Sequence, residues 1–137
     1  MALLDPTTLA QLLANGERQQ SVRGTPQEID FHPVVKLFTP DAGATWLLTE
    51  VEPDDPDIAF GLCDLGLGYP ELGSVRISDL EKVRGRLGLP VERDLHFRAS
   101  STLREYVAAA RRCGRIQAWT RAALALLRRI GICLLAQ

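Results

Sequence analysis

Three groups of residues in this chain have types and spacings that chemistry uses. Gly66-Leu67-Gly68 follows an apolar run, the setting of a phosphate-cradling loop. The dinucleotide fingerprint fails there, because three residues beyond Gly68 stands Glu71, and no Lys-Ser or Lys-Thr follows as in a P-loop. Asp64 and Glu71 bracket the run with negative charge that repels phosphate. The glycines then read as a turn that needs φ > 0. Asp54, Asp55 and Asp57 offer carboxylate oxygens to a hard cation. Pro56 intrudes, and neither the glycine nor the closing glutamate of a calcium loop is in place, so the stretch reads as a solvated acidic loop. His32 and His96 are the two histidines. With Cys63 they could form a transition-metal site or a nucleophile–base pair only through tertiary proximity, and Cys63, inside an apolar strand, reads as a small core residue. No Gly-x-Ser-x-Gly, His-Glu-x-x-His or Cys-x-x-Cys motif occurs. Catalysis would have to assemble Asp41, Glu50, Asp64 and His96 from separate elements. The sequence leans away from an enzyme, and no cofactor or metal is expected.

The elements that must position these residues are legible in outline. Asp5 is a good helix N-cap and Pro6 a good first helical residue. Leu9, Leu12 and Leu13 share a face, and Asn15-Gly16 reads as the stop, with a polar loop from Glu17 to Phe31. Four strands follow, over Pro33–Phe38, Ala44–Val51, Ile58–Asp64 and Gly73–Ile77. The first two are joined by a hairpin turn through Pro40 and Gly43. Glu52 to Asp57, with two prolines, is excluded from a central strand. Ser78-Asp79-Leu80-Glu81 matches a capping box for a helix with Leu80, Val83 and Leu87 inward, ending near Gly88. Val91 to Phe97 reads as a charged edge strand. Thr102-Leu103-Arg104-Glu105 is a second capping box, opening a helix with Leu103, Tyr106, Val107 and Ala110 on one side. Gly114 costs about 1 kcal/mol inside a helix. The helix therefore breaks there, or it carries on with Arg104, Arg111 and Arg115 as a basic stripe. Beyond it, Trp119, Ala122, Ala123, Leu126, Leu127, Ile130 and Leu134 form an amphipathic repeat.

The expected fold is α+β. A small, mainly antiparallel sheet of about five strands has a helix before it, a helix after the fourth strand, and C-terminal helices. Residues 1–114 form one domain. Residues 115–137 form an amphipathic helical extension that packs on it or on a partner chain, with a homodimer through that helix as one outcome.

The motifs VVKLFTPDAGATWLLTE, DPDIAFGLCDLGLG, PELG and LEKVRGRLGLPVERDLHF resemble a bacterial family catalogued as domain of unknown function 2958, over residues 3 to about 114. The resemblance implies an association with plasmids and other mobile elements. It brings no activity, cofactor or catalytic residue.

Composition sets further bounds. The chain has 137 residues, of which 46% are hydrophobic and 24% charged, as expected of one globular domain. No run of about 18 apolar residues suggests a membrane span. Met1 to Pro6 lacks the form of a signal peptide. Three widely spaced cysteines do not make a disulfide framework, so the expected compartment is the cytoplasm. The net charge of −1 conceals segregation: residues 41–81 carry ten acids against Arg76, and residues 82–137 carry twelve bases against three acids.

Two functions follow as expectations. The first is non-enzymatic protein interaction through an acidic face of Asp41, Glu50, Glu52, Asp54, Asp55, Asp57, Asp64 and Glu71. In a mobile-element protein such a face would suit counter-defence, by imitating DNA phosphates or filling the basic groove of a host nuclease. The second is nucleic-acid binding through Arg104, Arg111, Arg112 and Arg115. Against it stand a pI of about 6.1 and the lack of an aromatic stacking array.

Overall fold

The computed structural model describes residues 2–118 together with Arg129. The elements run α1 (Pro6–Gln20), β1 (Val35–Phe38), β2 (Thr45–Glu52), β3 (Asp55–Asp64), β4 (Glu71–Arg76), α2 (Ile77–Leu80), β5 (Glu92–Arg93) and α3 (Leu103–Cys113). The strands form one antiparallel sheet in the order β4-β3-β2-β1-β5. The fold is α+β, as the sequence pattern requires. The amphipathic repeat from Trp119 to Leu134 lies outside the described residues.

The sheet is covered on both faces. Trp46, Leu48 and Val51 of β2 and Ala59 of β3 cluster with Leu12 of α1. Leu47 and Leu62 cluster with Leu103, Tyr106, Val107 and Ala110 of α3. Neighbouring residues of a strand point to opposite faces, so α1 and α3 lie on opposite sides. β2 is therefore buried without alternation from Trp46 to Val51. Leu12, Leu37, Leu47, Leu48 and Leu62 have no exposed surface. Each is worth about 1.5–3 kcal/mol relative to exposure.

A bulge tunes this packing. Leu48 pairs with Gly61 and Glu50 with Phe60, which leaves Thr49 as the extra residue of β2. The step returns Val51 to the α1 face. It also frees the Thr49 carbonyl, which accepts a hydrogen bond from the buried Asn15 Nδ2 at 2.8 Å. Asn15-Gly16 is thus not a helix stop. Gly16 brings α1 so close to β2 that a Cβ there would lie 1.9 Å from the Val51 carbonyl oxygen. The helix runs on to Gln20. Buried Gln19 then mimics a peptide group, donating to the Ile29 carbonyl at 2.8 Å and accepting from the Ile29 N–H at 2.9 Å.

Three other boundaries shift. Ser78 does not start a long helix. Its N–H and hydroxyl both donate to the Asp57 carboxylate, at 2.9 and 2.6 Å, and α2 is a single turn. Leu87, expected inward, is 81% exposed, because its N–H and that of Leu89 are taken by Asp41 Oδ2 at 2.6 and 3.2 Å. The expected strand over Val91–Phe97 shortens to Glu92–Arg93 at the sheet edge. Pro53 and Asp54 alone make the β2–β3 turn, and Pro56 sits in β3 ahead of Ile58, where pairing with β4 begins.

At α3 the local signals hold. Thr102 Oγ1 accepts from Glu105 N–H, and Glu105 Oε1 accepts from Thr102 N–H. The Thr102 backbone N–H first, and its hydroxyl second, hold the Glu105 carboxyl below its ordinary pKa. Gly114, at φ 73°, ends the helix in the left-handed conformation. Ordered contacts continue beyond it: Ile116 is buried in the α3 cluster, and its N–H donates to Asp64 Oδ2 at 2.9 Å.

Candidate interaction surface

The eight acids expected on one face are divided by the fold. Glu50 is 2% exposed and Asp64 3% exposed. Glu50 accepts from Arg23 at 2.8 Å. One Asp64 oxygen receives the Gly66 N–H and the other the Ile116 N–H. Asp41 holds the 87–89 turn. A Cβ on Gly85 would meet its Oδ1 at 1.6 Å, so the carboxylate is enclosed by that turn. Asp55 and Asp57 both reach Arg76, at 3.2 and 3.6 Å. The Ser78 hydroxyl, then its N–H, and then Arg76 hold the Asp57 carboxyl below the usual aspartate range. Glu52 and Asp54 border a shallow cavity of about 150 Å³ with Gln20, Arg23 and Pro53. Glu71 stands at the far end of the sheet. β3 separates Asp55 from Asp64 by about 30 Å at 3.3 Å per residue. No single acidic face unites the eight. The acids left toward solvent are Glu52 and Asp54 with the Asp55–Asp57–Arg76 group at one end, and Glu71 at the other.

The expected catalytic and metal candidates stay apart. Burial pushes the Cys63 thiol up to about 11, which leaves it protonated and poorly nucleophilic at neutral pH. His32 and His96 are both exposed. Among the described residues no three His, Cys, Asp or Glu side chains converge as a metal site would need.

What sequence reasoning missed is the β3–β4 loop. Leu65, Leu67, Tyr69 and Leu72 are 61, 73, 80 and 41% exposed. The loop is built to hold that shape. Asp64 anchors the Gly66 N–H at 2.8 Å, an Asx-type turn. Gly66 and Gly68 take φ of 79° and 88°, which side-chain-bearing residues rarely adopt. The α3 C-terminus approaches from the side: Gly114 lies close to Gly68. Gly68, Tyr69, Pro70, Glu71 and Arg111 line an open cavity of about 270 Å³. The signal was present as four large apolar residues within eight, in a stretch whose glycines and proline already marked it as a loop.

The four expected nucleic-acid residues are exposed. Arg104, Arg111 and Arg112 are on α3. Arg115 is not on a continuing stripe, because the helix ends at Cys113. None of the four joins an ion pair among the described residues, whereas Arg23, Arg76 and Arg93 all do. No helix among the described residues is long and apolar enough to cross a membrane.

A family model described as "Protein of unknown function (DUF2958)" matches residues 3–117. No curated protein and no solved structure matches the chain.

Proposed function

This chain belongs to the DUF2958 family, and from its own geometry we propose that it is a non-enzymatic protein-interaction module that meets its partner through the β3–β4 loop. One observation carries the reading: Leu65, Leu67 and Tyr69 stand exposed on a loop held by Asp64 and two left-handed glycines, with Leu72 exposed just beyond it in β4. Exposed apolar clusters rimmed by polar groups mark contact sites. Tyrosine and arginine are the side chains enriched among binding hot spots, and here Tyr69 and Arg111 line the same cavity. A pre-shaped loop loses little conformational freedom on binding. The burial of Glu50 and Asp64 and the raised pKa of Cys63 count against a catalytic role for those groups.

The acidic-face reading contracts to the β2–β3 end, where Glu52 and Asp54 face solvent. The cytoplasm of a mobile-element host, with a counter-defence partner among the candidates, is the setting in which to seek the target. The test is a photo-crosslinking amino acid at Tyr69, expressed in that cytoplasm, with Thr7 of α1 as the control position. Protein adducts at Tyr69 and none at Thr7 are expected. Equal labelling at both positions, or none at Tyr69, contradicts the reading.

A second reading is favoured by four exposed arginines that join no ion pair among the described residues. Arg104, Arg111, Arg112 and Arg115 would bind nucleic-acid phosphates. Log K should then fall linearly with log salt at a slope near −0.7 to −0.9 per phosphate contacted. A flat salt response removes this reading.

A further inference from the structure

The two edges of the sheet are unlike. β5 is two residues long, and the chain beyond it turns away after the Asp94 N–H bonds to the Lys36 carbonyl. Short length is one of the devices that blunt an edge. β4 has six residues, Glu71 to Arg76, paired to β3 along its whole length. No described strand lies beyond it. It contains no lysine, proline or bulge to block pairing. Its outer edge is a template for another strand.

What flanks β4 identifies that strand. At its N-terminal end the apolar loop of Leu65, Leu67 and Tyr69 projects. At its C-terminal end an open groove of about 470 Å³ is lined by Ile58, Ser74, Val75, Arg76, Asp79 and Leu80. Charged groups mark both ends. The loop end carries Arg111 together with Glu71. The groove end carries Asp79, with Asp55 and Asp57 paired to Arg76.

We propose that a second copy of this chain occupies this edge, with the two β4 strands paired antiparallel about a two-fold axis. The proposal rests on the loop being a protein-contact surface. An isologous interface must be self-complementary, and this one is. Directly opposed side chains in an antiparallel pair share a face, so Gly73 or Ser74 lies on the axis. In both registers the start of β4 in one copy lies against the end of β4 in the other, so each apolar loop is carried toward the other copy's α2 and groove. Arg111 of each copy also lies toward the Asp79 end of the other, and both contacts occur twice.

The test uses the purified full-length chain. Sedimentation should give a dimer whose dissociation constant rises with salt, and Tyr69→Asp should weaken it about tenfold or more while the melting temperature of the monomer, read at concentrations below the dissociation constant, stays the same. A photo-crosslinker at Tyr69 keeps an aromatic side chain there, so it serves even where the aspartate variant fails to fold. Its adduct should have twice the chain mass and map to residues 74–80. A monomeric pure chain that still forms Tyr69 adducts with other cytoplasmic proteins overturns the second copy and leaves the loop reading intact. No adduct in either setting overturns both. A dimer that persists in Tyr69→Asp, or an adduct mapping elsewhere, overturns the β4 pairing.

Discussion

The α1–β2 contact and the β3–β4 loop treat polar and apolar residues in opposite ways. At α1–β2 the chain buries Asn15, Gln19, Thr49 and Glu50 and satisfies each of them internally. At the loop it exposes three leucines and a tyrosine on a backbone fixed by glycines. Buried polar groups are tolerable only when hydrogen-bonded, so the first region is a structural device. Large exposed apolar groups gain nothing for the monomer, and on the proposed reading the second region serves contact with a partner. The residues resembling chemistry hold the fold, and the residues resembling core are the ones the proposal assigns to contact.

Substitutions should separate the two regions sharply. Leu47→Ala, in the fully buried strand, should cost about 2–5 kcal/mol, read by chemical denaturation. Gly16→Ala would drive a methyl into the Val51 carbonyl. It should cost about 1–3 kcal/mol although alanine is the better helix former, and a gain in stability would show that α1 does not sit where described.

Asp57 sharpens the comparison through pH. Its folded pKa lies below the ordinary 3.8, so its hydrogen bonds with Ser78 stabilise the fold above that value. The contribution is lost as the pH falls through the lower folded pKa. Thermal melts of wild type and Asp57→Asn should differ at pH 7 and converge toward pH 2–3. A constant difference would mean that the carboxylate charge is not what matters. The smallest expected effect is at the loop: Leu67→Ser should change stability by less than about 0.5 kcal/mol.

The legible parts of the sequence were those decided by near neighbours. The Asp5 cap closes on Thr8 and the Thr102–Glu105 box on itself, within three residues, and both helix starts followed. The strands were legible from their β-branched and apolar runs. What failed was decided at long range. Asn15-Gly16 looked like a stop because its partners, the Thr49 and Val51 carbonyls, lie more than thirty residues away. Ser78 looked like a cap because Asp57 was not yet beside it. Asp41 looked free because the 87–89 turn that it organises comes much later in the chain. The acidic segment looked like one face because charge along a chain carries no information about which end of a ten-residue strand each carboxylate will occupy.

The measurement that tests the central claim most directly pairs two readouts on Leu67→Asp: cross-linking from Tyr69 in the host cytoplasm and the melting temperature. The account predicts adducts lost and melting unchanged. Adducts that persist, or a drop in melting temperature as large as that of Leu47→Ala, would contradict it.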